Sequence, residues 1–285
     1  MPELPEVETT LRGITPHIKG QTISKIIIRQ RQLRWPIPDE IKSLTGLPVE
    51  EITRRGKYLF WQTPAGHLIW HLGMSGSMLI LPIDDESESP RRQSHEFTKH
   101  EPEKHEHVVF EFNNGLSLRY RDPRRFGALL FTADDPNQHK LIRSLGPEPL
   151  QSEFNTDTLY QACRNRTAPI KHLIMDSHIV VGVGNIYACE ALYLAGINPK
   201  RKAGKISKQR IEKLVSAIKT VLQAAINQGG TTLQDFNQAD GKPGYFKQSL
   251  NVYGQRGRPC SICSSKIRQI KQAQRSTFYC ANCQR

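Results

Sequence analysis

The chain has 285 residues, 37% of them hydrophobic, a net charge of +13 and a mean hydropathy of −0.52. Its longest apolar runs are too short to span a bilayer, and the length gives a soft expectation of two domains with buried cores. The charge is unevenly placed: residues 1–150 carry 20 Lys+Arg against 20 Asp+Glu, whereas residues 151–285 carry 20 against 7, as expected of a domain that grips phosphates beside a neutral one, with an idle basic surface as the plain alternative.

The opening MPELPEVETT is acidic and has no apolar core, so it is not read as a signal peptide, and a reducing, cytoplasmic location is expected. Residues Pro5 to Leu11 read as a short helix, with proline suited to its first turn. Strand-like pieces follow at Ile23 to Arg29, Tyr58 to Gln62, His67 to Leu72 and Val108 to Phe112. Asn114-Gly115 is a hairpin signal, Leu116, Leu118 and Tyr120 alternate after it, and Ala128 to Phe131 adds another strand. Short strands separated by turns imply an antiparallel sandwich or barrel. The polar stretch from Pro82 to Lys104 reads as a long loop, and the irregular spacing of His95, His100, His105 and His107 suits solvated side chains better than a metal site.

From about Leu150 the period becomes helical, first around Leu159 and Cys163 and then around Ile170 to Ile174. A further helix is expected over Ile186 to Leu194. The clearest helix starts at Ser207, runs along an apolar stripe from Ile211 to Ile226 and stops at Gly229-Gly230. The terminal cysteines, Cys260, Cys263, Cys280 and Cys283, stand as C-x2-C-x16-C-x2-C. That spacing implies one structural Zn2+ held by four thiolates, with two disulfides as the alternative. All ten histidines precede residue 179, so none can complete the cluster locally. Cys163 and Cys189 lie in apolar patterns and read as buried thiols. Arg258, Lys266, Arg268, Lys271 and Arg275 lie near or between the zinc ligands, and a metal-stiffened basic hairpin implies a polyanionic partner.

Pro2-Glu3 is the most unusual pair. Removal of Met1 would expose a secondary amine, and an α-amino group titrates at about 7.7–8.0, so part of it is a free nucleophile near neutrality. Such an amine can attack a sugar carbon and form an iminium, with Glu3 to move protons.

Taken in order, MPELPEVET, RRGKYL with Lys57, HLGMSG, DPRRFG, LGPEPL, VGVGNIYACEAL, QGGTTLQDF and the four cysteines resemble the formamidopyrimidine-DNA glycosylase family over nearly the whole chain. The resemblance implies an α+β fold: an antiparallel β-sandwich with flanking helices (1–134), a linker (135–150), a helical helix–two-turn–helix domain (151–248) and a four-cysteine zinc finger (249–285). It implies Pro2 as nucleophile at C1′ of a damaged nucleotide, Glu3 as the acid that opens the sugar, Lys57 as a proton-transferring amine and Arg275 as the finger's arginine at the lesion. Met74, Arg124 and Phe126 match the wedge that fills the gap behind a flipped base. His105, Arg166, Lys171 and Asn185 match positions that hold backbone phosphates, and Gly230 to Tyr245 match a loop that closes over the everted base. The implied partner is damaged double-stranded DNA, bound by a monomer with no membrane role. An enzyme of the endonuclease VIII branch acting on oxidised pyrimidines, or a zinc-containing lesion binder without catalysis, remains the alternative. The 82–104 insert departs from the family pattern, and so does arginine at 166 where lysine is frequent.

Overall fold

A computed structural model describes residues 2–83, 104–229 and 250–285. Most of the expected loop around residues 82–104, with His95 and His100, lies outside the described residues, as does the expected closing loop Gly230 to Tyr245. The chain opens with helix α1 (Leu4–Ile18), followed by β1 (Ile23–Ile28), β2 (Glu51–Arg55), β3 (Tyr58–Thr63) and β4 (Gly66–His71). Then come β5 (Ser77–Pro82), β6 (Glu106–Phe112), β7 (Leu116–Arg121) and β8 (Ala128–Thr132). The strands form two antiparallel four-stranded sheets, ordered β1-β6-β7-β5 and β2-β3-β4-β8.

Two-residue alternation explains how the sheets stack. Trp61 and Trp70 point inward from the second sheet and meet Phe110 and Tyr120 of the first, with ring centroids 5.1–5.9 Å apart where the sheets touch. The intervening residues Phe60 and Ile69 face the other way and are buried against Ile142. The second sheet is therefore covered on both faces, which explains why these strands lack a polar side.

Helix α1 extends seven residues beyond the expected Leu11. Gly13 and Pro16 disfavour a helix there by about 1 and 3 kcal/mol. Ile14 and Ile18 are fully buried, which returns about 1.5–3 kcal/mol each, and Thr10 and Thr15 hydroxyls bond back to the carbonyls of Glu6 and Leu11. Two strands absent from the sequence reading, β2 and β5, also form. Polar ends (Glu51, Arg54 and Arg55 in β2, Ser77 and Pro82 in β5) hide their alternation.

The second half contains α2 (Thr156–Cys163), α3 (Ile170–Ile174), α4 (Asn185–Leu194) and α5 (Lys208–Asn227), then the hairpin β9 (Arg268–Gln272) and β10 (Arg275–Tyr279). Residues 186–193 of α4 are all buried. One side of this helix belongs to the helical core with Leu214, Ile218 and Leu222. Its other side, Cys189 and Tyr193, packs on Val252, Ile267 and Phe278 of the finger. Being buried all round, with its one acid Glu190 accepting from the N–H groups of Asn251, Val252 and Tyr253, it can serve as the shared wall of two cores. Among the described residues no helix is long and apolar enough to cross a membrane.

A candidate active cleft and nucleic-acid interface

The start of α1 meets the start of α4. Leu4 N–H donates to Gly182 O at 3.1 Å. The Glu3 carboxylate accepts from the backbone N–H groups of Gly184 (2.8 Å), Ile186 (2.9 Å) and, more loosely, Tyr187 (3.4 Å). Glu3 thus caps the positive end of α4 from another element. Its own N–H donates to Glu6 Oε2, and the Tyr187 hydroxyl donates to Glu6 Oε1. The VGVG sequence permits this approach. A Cβ on Gly184 would lie 2.2 Å from Glu3 Cδ, and one on Gly182, which also has φ +84°, would lie 2.4 Å from Leu4 Cδ1. Gly184 is therefore required for close contact rather than for a sharp turn.

Glu3 is only 2% exposed. Burial pushes its pKa up; the nearby Lys57 and the amide donors pull the other way, and burial prevails. A carboxyl that keeps its proton to higher pH than usual suits a general acid. Pro2, buried beside it, stands one residue from the carboxyl and so at the same helix end.

Lys57 sits at the two-residue tip of the β2–β3 hairpin, between the paired residues Arg55 and Tyr58. Glu148 fixes that tip: its carboxylate accepts from Gly56 N–H, Arg54 Nη1 and Arg55 Nη1 at 2.6, 2.9 and 3.0 Å. Lys57 lines a cleft of about 340 Å³ together with His71, Arg34, Gly182, Gly184 and Arg275. Burial lowers the Lys57 pKa; Glu3 raises it and Arg275 lowers it further. The amine is therefore more readily neutral than an ordinary lysine. His71 is pushed down to about 4 by burial and by the adjacent Lys57 and Arg34. It is neutral near pH 7, and its Nδ1 accepts from Gly73 N–H at 3.0 Å, so Nε2 carries the proton and offers an uncharged donor. Within HLGMSG the sequence expectation rests on Met74 alone; the signal for His71 is a histidine at a strand end next to a glycine turn.

Arg275 begins β10, directly after a two-residue turn. Ala273 (φ 44°) and Gln274 (φ 60°) both adopt the left-handed region, the conformation of a type I′ hairpin. Neither is the Gly or Asn that such a turn favours, so the tip that presents Arg275 is strained. Arg275 is exposed and also lines a recess of about 200 Å³ with Lys171, Met175 and Gln272.

Lys171, expected at a backbone phosphate, is placed differently. It is 1% exposed. Its ammonium donates to Asn185 Oδ1 (2.6 Å) and Thr277 Oγ1 (2.7 Å), with Ser276 O at 3.5 Å. Asn185 Nδ2 donates to Ser276 O at 2.9 Å and approaches the Tyr253 hydroxyl at 3.5 Å. Asn185 is the first residue of α4 rather than its cap, which is Gly184. Lys171 and Asn185 together fasten α3 and α4 to the strand that carries Arg275. Tyr253 was missed by sequence reasoning; nothing in VYGQRG distinguishes it from a core tyrosine.

Met74, Arg124 and Phe126 stand on two adjoining loops. Met74 is 38% and Phe126 45% exposed, unusual for large apolar side chains, and the Arg124 guanidinium lies 4.9 Å from the Phe126 ring centroid. Asp122, fully buried, ties the loops together by accepting from Ser75 Oγ (2.6 Å), Gly127 N–H (2.8 Å) and Tyr120 Oη (3.2 Å). Gly73 presses on the Phe126 backbone, where a Cβ would lie 2.4 Å from the carbonyl carbon. The ridge is joined to the cleft through two lining residues: Met74 follows His71 by three positions, and Arg34 N–H donates to Gly127 O at 3.0 Å. His105 sits beside the ridge, with φ 75° and its carbonyl accepting from Asp122 N–H. Arg166 is exposed after α2, next to Asn165 in the left-handed region.

The four terminal thiols are free, and their sulfurs all lie within 4.8 Å of one another. Cys260–Cys283 and Cys263–Cys280 are 3.8 and 3.4 Å apart. A tetrahedron with Zn–S bonds of about 2.3 Å has edges of about 3.8 Å, whereas a disulfide needs about 2.05 Å. Four soft donors with no open position fit one structural Zn2+, which when bound would supply folding energy. The disulfide alternative is thereby set aside.

A family model described as the formamidopyrimidine-DNA glycosylase N-terminal domain matches residues 1–129, its H2TH domain matches 145–237, and the zinc finger found in FPG and IleRS matches 257–285. The formamidopyrimidine-DNA glycosylases of Marinomonas sp. and Idiomarina loihiensis are 54% and 50% identical to the chain, over 100% of both partners in each case. Among solved structures, MutM (Fpg) from Thermus thermophilus has a TM-score of 0.84 at 33% identity, covering 99% of this chain and 98% of its own. Lactococcus lactis Fpg in complex with DNA containing N7-benzyl-Fapy-dG has a TM-score of 0.86 at 34% identity, covering 99% of each. With both sheets, the helices and the finger matched from end to end, the chain belongs to the formamidopyrimidine-DNA glycosylase family.

Proposed function

We propose that this chain is a bifunctional DNA glycosylase and AP lyase that removes oxidised purines from duplex DNA. The observation that carries the reading is the buried Glu3 carboxyl, held by two converging helix ends one residue from Pro2, beside a cleft lined by Lys57 and Arg275. A base within a duplex is unreachable at its glycosidic bond, so the nucleotide must be everted, at roughly a few kcal/mol. Met74 and Phe126 fill the vacated stack, and Arg124 hydrogen-bonds the orphaned partner. Arg275, His105, Arg166 and Asn185 receive the bent backbone, with His71 as an uncharged donor. Lys171, buried behind Asn185, positions it.

With Met1 removed, the Pro2 nitrogen attacks C1′. The C1′–base bond breaks and the base leaves with a proton. Glu3 protonates O4′ as the ring opens, leaving an iminium between Pro2 and C1′. Loss of a C2′ proton then expels the 3′ phosphate, and a second elimination expels the 5′ phosphate; Lys57, readily neutral, moves these protons. The Cys260, Cys263, Cys280 and Cys283 module presents Arg275. We propose that the enzyme acts as a monomer inside the cell, with the sandwich (1–134), linker (135–150), helical unit (151–248) and finger (249–285) as its functional parts.

The test is borohydride trapping on duplexes with 8-oxoguanine opposite cytosine. The proposal expects a covalent adduct and strand cleavage, with weaker cleavage of thymine glycol opposite adenine. Absence of any adduct from protein lacking Met1 would refute it; faster thymine glycol cleavage would favour the pyrimidine branch.

A further inference from the structure

Nearly half of the basic excess of the second half lies in one short segment. Residues 199–213 contain seven Lys+Arg and one acid. Lys208 is paired with Asp157, and Arg210 donates to the carbonyls of Gly196 and Arg285. Lys200, Arg201, Lys202 and Lys205 are exposed, and no carboxylate pairs with them among the described residues. Ordinary surface cations on mobile chains would need no explanation. Here the backbone that carries them is fixed. Ile170 N–H donates to Arg201 O (2.8 Å), Ala203 N–H to Ala168 O (2.9 Å) and Gly204 N–H to Arg166 O (2.9 Å), and Pro169 and Lys202 form a β-bridge.

The other edge of the segment is joined to the finger. Gln272 Nε2 donates to Pro199 O at 3.4 Å, and Lys200 Nζ lies 5.7 Å from the centre of the Tyr279 ring. Arg268 pairs across the hairpin with Tyr279, so its side chain shares that face. The result is a strip running from Arg268 through Lys200, Arg201, Lys202 and Lys205 to Arg166. Among the described residues no carboxylate forms an ion pair with its four central cations, Lys200, Arg201, Lys202 and Lys205. Its contact with the finger is at Gln272, the cross-strand partner of Arg275.

We propose that this strip is a second phosphate-binding track, which holds the duplex flanking the lesion outside the cleft. The inference rests on the proposed action on DNA and adds the surface that engages the flank. Its ligand is the sugar-phosphate backbone of double-stranded DNA, because a run of lysines and arginines whose one aromatic neighbour, Tyr279, is buried and already covered by Lys200 reads charge and not sequence. Each phosphate neutralised releases counterions and adds about 0.9 to the slope of log affinity against log salt.

The test compares full-length zinc-loaded protein with the variant K200S/R201S/K202S/K205S on a duplex of about 30 base pairs with a central 8-oxoguanine. Anisotropy is read across a salt series, and excision is read under single turnover with saturating enzyme. Four lost contacts predict a slope shallower by about 3.6, with the saturated excision rate unchanged. Should the fourfold variant lose zinc or thermal stability, the pair K200S/K205S predicts a change of about 1.8. An unchanged slope overturns the proposal and leaves an idle basic face or an acidic protein partner. A reduced slope accompanied by loss of saturated excision also overturns it, since the strip would then belong to the lesion site. Failure of the wild type to bind DNA at all would instead sink the proposed function.

Discussion

Replacing Gly184 with alanine isolates the contact on which the cleft is built. The residue has φ −116°, a region open to alanine, so no backbone strain is introduced. The new methyl would stand 2.2 Å from Glu3 Cδ and 2.4 Å from Oε1. Relief to an ordinary contact requires the carboxyl to retreat by roughly an ångström, enough to break its bond with Gly184 N–H or Ile186 N–H. One hydrogen bond to a charged group contributes about 1.5–3 kcal/mol. If Glu3 must sit there in the transition state, G184A slows single-turnover base excision by roughly ten- to hundredfold. Duplex affinity and zinc content should hold, because the three atoms nearest that methyl outside its own chain neighbours all belong to Glu3. Excision at the wild-type rate, with Glu3 still 2.8 Å from residue 184 N–H in a structure of the variant, would refute the reasoning.

Other expectations follow from the same geometry. Burial raises the Glu3 pKa above its unfolded value, so its contribution to stability is fully present below the unfolded pKa, about 4.3, and is lost as pH rises through the folded one. The difference in Tm between Glu3→Gln and wild type should therefore move in favour of the variant as pH rises from about 4 towards 7; a difference constant with pH would contradict it. Lys171→Met removes a buried ammonium shared by Asn185 and Thr277 and should cost about 1–3 kcal/mol in unfolding, the range for leaving a buried acceptor unsatisfied, with excision falling further than AP-site binding. A loss in chemical denaturation under 1 kcal/mol would contradict this. The Tyr193 hydroxyl lies 3.1 Å from Cys260 Sγ and 3.1 Å from Ser261 Oγ. With zinc bound the sulfur is a thiolate and the hydroxyl donates. Tyr193→Phe should lose zinc to a chelator roughly ten- to hundredfold faster, as for other outer-shell partners; equal release rates would count against the contact.

The sequence made the fold readable where one periodicity ran uninterrupted. The stripe from Ile211 to Ile226 gave α5, and the alternation around Asn114-Gly115 gave β6 and β7. It failed where burial overrode propensity, as in the second half of α1, and where polar strand ends masked β2 and β5. The cysteine spacing was legible because a tetrahedral thiolate site constrains spacing directly. The burial of Lys171 was not legible, because a lysine in a sequence carries no sign of whether its ammonium will be buried. His71 and Glu148 were passed over for the same reason: their roles exist only once the β2–β3 tip, the β4 end and the linker meet. Pro2 and Glu3 became meaningful through Gly182 and Gly184, some 180 residues away, and only the folded chain brings those four together.

The most direct measurement is peptide mapping of the protein trapped by borohydride on 8-oxoguanine duplex. The account predicts that the DNA remnant is attached to the α-nitrogen of a peptide beginning at Pro2, and that Pro2→Gly preparations carry it on the glycine nitrogen. A remnant attached to Lys57, or to any other amine while Pro2 is free and unmodified, would contradict it.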